Sequence, residues 1–327
     1  MRQWLYAAAV KGGLCMKKKK MLLIINPKSG KNQIKPNLCD IIDLYVSNGY
    51  IVTVHTTRYA RDARQIAKKM AKDYDIIVCA GGDGTLDEVC SGLLDSESNT
   101  VLGYIPAGTT NDFAKSLGIT SKVMNAAQTV LTGTPFACDL GEFNGTPFIY
   151  VAAFGAFTQV SYSTPQSMKN MMGHTAYVIE GIKSLGNIKP YHAVCEFGGH
   201  VVENDFIYGM VTNSVSVGGF KSVSGVEAKL DDGLFEVLLI KMPKNLIEIQ
   251  MIATALLTQK VDEQLMFFGK ADKITVTSDD EIAWTLDGED GGAWRKVEII
   301  TRHKAVRIIR PTQALEERYD ENKDKGL

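Results

Sequence analysis

The sequence predicts an α/β domain followed by an antiparallel β domain, with a site where the two face each other. Three observations carry this. Up to about residue 134, short apolar runs alternate with helical patterns, the signature of βαβ units around a parallel sheet. From Pro135 to about Arg310, short strand-like runs separated by turn dipeptides dominate. Three polar, glycine-containing loops follow three of the early strands, and in open α/β sheets ligands bind at that edge.

In chain order, Met21 to Ile25 is a buried-strand run followed by the loop Asn26-Pro27-Lys28-Ser29-Gly30. Pro36 to Asn48 reads as a helix with Leu38, Ile41, Ile42 and Tyr45 on one face and Gly49 as its stop. Tyr50 to Thr56 is a strand, and Arg61 to Lys72 a helix, apolar at Ile66, Ala67 and Met70. Ile76 to Ala80 is a fully apolar strand. Val101 to Ile105 is a fourth strand, and Val123 to Leu131 a helix. Right-handed crossovers put the strand C-termini on one edge, which gives a three-layer, Rossmann-like domain over 17–134.

The second half, 135–310, reads as a β-sandwich with strands at 136–143, 147–154, 191–198, 205–213, 234–241, 263–268, 273–278, 282–286, 295–300 and 305–309. Asn144-Gly145, Gly198-Gly199, Asp232-Gly233, Asp287-Gly288 and Gly291-Gly292 are its turn signals. Helical inserts are expected at 174–185 and 244–259, and a closing helix at 311–320 packs back on the first domain.

Composition narrows the classes. A chain of 327 residues suggests two domains, and its net charge of −1 argues against a nucleic-acid partner. Six scattered cysteines without a C-x-x-C pair read as reduced thiols of a cytoplasmic protein. The apolar patch Trp4 to Val10 is too short to span a bilayer, and the charges follow it rather than precede it. Met16 or Met21 would be a more natural start than Met1.

The stretch around which the chain is organised is Gly81-Gly82-Asp83-Gly84-Thr85. Glycines let a ligand approach the backbone closely. Thr85 reads as an N-cap, with Glu88 completing a capping box. A strand thus feeds a bare turn and a helix N-terminus, an arrangement suited to a phosphate. Asp83 fits there if a cation bridges it to the anion or if it accepts a hydroxyl proton. The dinucleotide spacing G-x-G-x-x-G is absent.

Together, Asn26–Gly30, Gly81–Thr85 and Pro106-Ala107-Gly108-Thr109-Thr110-Asn111-Asp112-Phe113-Ala114 resemble the catalytic domain of the diacylglycerol kinase family. Asp287-Gly288-Glu289 and Lys229–Leu234 look like its bacterial branch. The resemblance runs in order from about Lys20 to Arg310, and departs at Asp87, where the family commonly has Asn. It implies ATP- and Mg²⁺-dependent phosphorylation of a lipid hydroxyl, most simply diacylglycerol to phosphatidate. Asn26, Pro27, Lys28, Ser29, Gly30, Thr57, Gly82, Asp83, Gly84, Thr85, Glu88, Thr109 and Asn111 would then serve the nucleotide. Glu289 would be the general base, with Asp83 beside it. A structural Mg²⁺ would sit on Asp232 and the carbonyls of Lys229 and Leu234, with water-bridged contact to Asp83.

The acceptor lipid implies transient peripheral contact with a membrane surface. Phe157, Tyr162, Met168, Met171, Met172, Tyr177 and Ile182, and the apolar helix 246–257, are candidates for acyl-chain or membrane contact. Lys17–Lys20 and Lys115–Lys122 could face an anionic leaflet. Rival readings are a kinase of another lipid alcohol, or of a soluble one, since Gly-Gly-Asp-Gly also looks like NAD kinases and phosphofructokinases. A nucleotide-binding regulator without turnover is a third, and a homodimer is left open.

Overall fold

The computed structural model describes residues 18–30, 34–156, 189–214, 216–217, 220–221, 229–258 and 260–312. The expected helix at 174–185, residues 313–320 of the expected closing helix, the aromatic and methionine residues of 157–182, and Lys17 lie outside the described residues.

The first half follows the predicted alternation: β1 (Lys19–Ile25), α1 (Ile34–Ser47), β2 (Tyr50–Thr56), α2 (Asp62–Met70), β3 (Ile76–Gly81), α3 (Asp83–Ser96), β4 (Val101–Pro106), α4 (Asp112–Ser116) and α5 (Val123–Thr132). The strands pair in parallel in the order β2-β1-β3-β4, with Leu23 opposite Val54 on one side and Val78 on the other. Met21–Ile25 and Ile76–Gly81 are buried throughout, as an apolar run with no polar alternation requires.

The second half comprises β5 (Thr134–Phe143), β6 (Thr146–Phe148), β7 (Val151–Gly155), β8 (Tyr191–Phe197), β9 (His200–Thr212), the short β10 (Ser216–Val217) and β11 (Phe220–Lys221), β12 (Phe235–Lys241), α6 (Leu246–Thr258), β13 (Met266–Ala271), β14 (Lys273–Leu286) and β15 (Glu289–Arg310). The turns Asn144-Gly145, Gly198-Gly199 and Asp287-Gly288 all take left-handed φ values, 46/82°, 55/80° and 51/87°. That twist matches the flanking strands of a two-residue hairpin.

Three expectations are corrected. The strands expected at 273–278 and 282–286 are one strand, β14, with a register shift between Thr277 and Ile282. Those expected at 295–300 and 305–309 are one 22-residue strand, β15. Gly291-Gly292 is a bulge inside it, since Ala283 still faces Ala293 and Thr285 faces Asp290. A second bulge lies between Arg302 and Val306, where Lys304 takes φ 51°. Bulges and turns use the same residues, so the sequence marks an interruption without saying whether the chain reverses.

The expected strand 147–154 is broken at Ile149–Tyr150. β15 joins the two halves, pairing antiparallel with β14 and β5 and parallel with β4 at Ile308 and Leu102. Among the described residues one mixed sheet of 13 strands therefore runs through both halves. β9 and β14 change partner midway, pairing with β8 at one end and β7 at the other. The sheet closes there around Phe143, Phe148, Phe154, Phe235 and Trp284. Among the described residues no helix is long and apolar enough to cross a membrane, and Cys39, Cys79, Cys90, Cys138 and Cys195 are free.

Candidate active site

The three loops meet at the C-terminal ends of β1, β3 and β4. The Asn26 N–H donates to Ala80 O (2.9 Å) and the Ala107 N–H to Gly81 O (2.7 Å), so each loop starts laced to its neighbour. Asn26 closes the first loop on itself: Lys28 N donates to its Oδ1 (3.0 Å) and Ser29 N to its carbonyl (3.2 Å). Pro27 is half-buried inside this turn. The Asn26 amide donates to Thr85 Oγ1 (3.0 Å), and Gly82 N donates to Ser29 Oγ (3.3 Å). A Cβ on Gly108 would lie 2.7 Å from Gly82 Cα, and one on Gly30 would strike Ala107 O. The loops can approach this closely only because those side chains are missing. Beside them Asn26, Lys28, Thr57, Arg58, Tyr59, Thr85 and Glu88 enclose a pocket of about 210 Å³.

The capping box expected at Thr85 and Glu88 is not formed. Helix α3 begins three residues earlier, at Asp83, with Gly82 rather than Thr85 in the extended N-cap position and no side-chain cap. Thr85 is therefore buried in the first turn. Glu88 reaches instead to the start of α2, accepting from Arg61 N (2.7 Å) and Ala63 N (3.0 Å). The N–H groups of Asp83, Gly84 and Thr85 have no partner within their own helix, which suits an anion. Glu88→Ala would leave the α2 start uncapped, at a cost of about 1–2 kcal/mol. We expect a lower Tm in thermal unfolding and a raised KM for nucleotide, because Arg58–Ala60 wall the pocket.

Asp83 lies at the head of α3, half-buried. Its Oδ2 accepts from Asp112 N (3.2 Å), and Oδ1 has no partner. Burial, reinforced by the Asp112 carboxylate, raises its pKa from 3.8 to about 6. Asp112 itself sits in the first turn of α4, bonded to Lys115 Nζ at 2.9 Å.

Glu289 arrives from the opposite half. It follows the Asp287-Gly288 turn as the first residue of β15, and its Oε1 would lie 3.2 Å from a Cβ on Gly84. Glu289 therefore meets the first turn of α3 at Gly84 and acts electrostatically on Asp87 one turn along. Asp287 anchors this approach, its carboxylate accepting from Ile149 N (2.6 Å), Val151 N (2.9 Å) and Tyr150 N (3.0 Å). That triple contact explains the break between β6 and β7.

Asp87, one turn further along α3, is half-buried, with its Oδ1 shut off from solvent and unpartnered; desolvation and the Asp287 and Glu289 carboxylates push its pKa well up. Thr109 is exposed on the third loop. The Asn111 carboxamide is engaged within that loop, accepting from Gly108 N and donating to Gly108 O, both at 2.9 Å. It shapes the loop from a left-handed φ of 50°, leaving its amide committed to the chain itself.

Residues 20–143 match the model of the diacylglycerol kinase catalytic domain, and residues 151–310 that of a YegS C-terminal NAD kinase β-sandwich-like domain. A diacylglycerol kinase of Bacillus subtilis (strain 168) is 34% identical over 305 residues, covering 92% of this chain and 100% of that one. The chain belongs to the diacylglycerol kinase family. One from Staphylococcus aureus (strain MRSA252) is 34% identical over 277 residues, 84% of this kinase and 87% of that chain. A crystal structure of a diacylglycerol kinase from Bacillus anthracis str. Sterne has the same fold, with a TM-score of 0.72 at 24% identity, covering 91% and 98% of the two chains.

The kinase's 229–234 turn is held by a residue the sequence did not single out. Asp139 on β5, fully buried, accepts from Gly233 N and Lys304 N, both at 2.6 Å, and pairs with His303 Nδ1 at 2.9 Å. Its partners lie 94 and 165 residues away, beyond any local pattern. Asp232 is half-buried; its Oδ1 accepts from Leu234 N (3.1 Å) and its Oδ2 lies 3.6 Å from Lys270 Nζ. Lys229 is exposed at the start of the turn. Among the described residues no three Asp, Glu, His or Cys side chains are grouped to hold an ion.

Proposed function

We propose that this kinase transfers the γ-phosphoryl group of ATP to the hydroxyl of diacylglycerol, giving phosphatidate and ADP. The observation that supports the reading is the approach of Glu289 Oε1 to Gly84, in the first turn of the helix that Asp83 opens. Phosphoryl transfer is mainly positioning and charge neutralisation, and here phosphate-binding backbone and a carboxylate base converge from two halves of the chain.

In this reading the triphosphate lies over the free N–H groups at the start of α3, with Lys28 and Arg58 lending positive charge. The nucleotide occupies the pocket bounded by Asn26, Thr57 and Thr85. Glu289 accepts the hydroxyl proton as the oxygen attacks phosphorus and the bond to ADP breaks. The buried, unpartnered Asp83 Oδ1 suits Mg²⁺, which is bound through one or two carboxylates plus substrate phosphates; once bound, the ion would neutralise phosphate charge. Thr109 reaches the ribose or phosphate side, and Asn111 contributes through the loop it shapes. A second Mg²⁺ at Lys229, Asp232 and Leu234 would share the Asp232 carboxylate with Lys270.

The test is incorporation of labelled phosphate from ATP into diacylglycerol, monoacylglycerol, sphingosine, ceramide and prenol in mixed micelles. We expect diacylglycerol to lead. Equal turnover of a soluble alcohol without lipid would overturn the lipid assignment, and nucleotide binding without any transfer would overturn the enzyme.

pH gives a separate check. The Asp83 carboxyl titrates at about 6 in the fold against 3.8 when unperturbed, so the folded state holds this proton more tightly than the unfolded one. Its contribution to stability is full below about pH 4 and is lost as pH rises through 6. Activity should run the other way, kcat/KM falling below pH 6 as Asp83 protonates. Chemical denaturation and initial rates across pH 4–8 would read both.

A further inference from the structure

The pocket beside the phosphate turn has one wall that packing does not explain. Tyr59, in the loop after β2, lines it together with Arg58 and Ala60. Tyr59 is 59% exposed, so its ring adds little to the core. The loop that carries it is nonetheless held on every side. Thr57 N donates to Ile25 O at 2.8 Å. Arg58 N donates to Asp62 Oδ2 (2.8 Å), and Asp62 N donates back to Tyr59 O (3.3 Å). Arg61, at a left-handed φ of 68°, gives its N–H to Glu88 of α3 (2.7 Å). The Tyr59 hydroxyl donates to Gln65 Oε1 on α2 at 3.3 Å, which holds the tip of the ring. An aromatic face fixed in advance loses little freedom when a planar group covers it.

The sheet sets where this face stands relative to the phosphate turn. β2, β1 and β3 are successive neighbours, so the loop after β2 lies two strand spacings, about 10 Å, from the turn after β3. Between them is the loop after β1, whose Asn26 and Lys28 line the same pocket. A phosphate held by the free N–H groups of α3 leaves the rest of its molecule to extend across the end of β1 toward Tyr59. Glu88 couples the two ends. It lies in the pocket wall, on the helix that the phosphate turn opens, and it caps the start of α2 next to Tyr59. An anion site at one end and an aromatic face at the other, with room for a sugar between, fit a nucleoside polyphosphate.

We propose that Tyr59 is the base platform of the nucleotide site, its ring stacking on the adenine of ATP while the triphosphate lies at the start of α3. This rests on the reading of the pocket as the ATP site and adds the residue that receives the base. Stacking tolerates any base because each has a π-face, so Tyr59 supplies affinity for a nucleobase rather than a choice between ATP and GTP.

The test is calorimetric binding of ATP and of inorganic tripolyphosphate, each with Mg²⁺, to the full chain. Tyr59→Ala should raise the Kd for ATP about 5- to 100-fold and leave that for tripolyphosphate unchanged. Tyr59→Phe keeps the ring without the bond to Gln65, and should bind ATP as the wild type does. Unchanged ATP binding by Tyr59→Ala would overturn the platform, and the kinase reading would stand if diacylglycerol is still phosphorylated. Equal weakening of ATP and tripolyphosphate would show that the ring only shapes its loop, and would overturn the platform as well. A loss confined to ATP, without phosphorylation of any lipid by the wild type, would sustain the platform and overturn the enzymatic reading instead. As a measurement independent of the alanine variant's folding, Tyr59→Trp should gain emission that ATP quenches and tripolyphosphate does not; no base-dependent change would overturn the proposal.

Discussion

Asp83→Asn should lower ATP-dependent phosphorylation by at least about 10³-fold while raising thermal stability at neutral pH. The two halves of this expectation have one cause. The Asp83 carboxylate is ionised above pH 6 at a cost, because burial and the nearby Asp112 charge both oppose it. A neutral carboxamide keeps an acceptor for Asp112 N, bonded now at 3.2 Å, and removes that opposition. It also removes the charge that the proposed role requires, since Mg²⁺ prefers anionic oxygen. A residue retained against its own stability cost is a strong candidate for function. Labelled-phosphate transfer and the Tm, measured on one preparation, check both. Retained activity would remove Asp83 from the mechanism, and a lowered Tm would show that the carboxylate chiefly holds α4 in place.

Much of this site was legible because its parts are local. Ile76–Ala80 followed by Gly81-Gly82 says strand, bare turn and helix within a dozen residues, and the three loops share an edge by topology alone. What was not legible depends on partners distant in sequence. Glu88 reads as a cap for its own helix, yet its carboxylate serves Arg61 and Ala63 at the start of α2, because the glycines let α3 start three residues early. Asp287 reads as a turn residue, and it is one, but its side chain also organises Ile149–Val151 from 136–138 positions away. Asp139 carries no local signal at all. β15 reads as two strands, 295–300 and 305–309, with Gly291-Gly292 as a turn before them, until its partner strands are known. Asp87 had a visible signal, a carboxylate one helical turn from Asp83, but only the fold sets it beside Asp287 and Glu289.

Glu289→Gln should cut the rate of transfer by about 10²–10⁴-fold, the range of general-base catalysis, with the KM for ATP nearly unchanged. Glu289 is exposed and follows a two-residue turn, so replacing its carboxylate removes little buried surface and should barely move the Tm. The backbone that carries it is fixed by Asp287, whose three hydrogen bonds to 149–151 tie the β14–β15 hairpin to the β6–β7 connection. The same geometry distinguishes the base from its support. Asp287→Ala should release three backbone N–H groups at once and lower both Tm and rate, whereas Glu289→Gln should lower the rate alone. Gly84→Ala adds a third comparison, because its Cβ would press on Glu289 Oε1 from 3.2 Å while every carboxylate is kept. If Gly84→Ala slows transfer with Asp83 and Glu289 both intact, the close approach of Glu289 to the first turn of α3 is itself part of the catalytic requirement. If Glu289→Gln turns over at the wild-type rate, the proton leaves by another route and the convergence at Gly84 serves binding only.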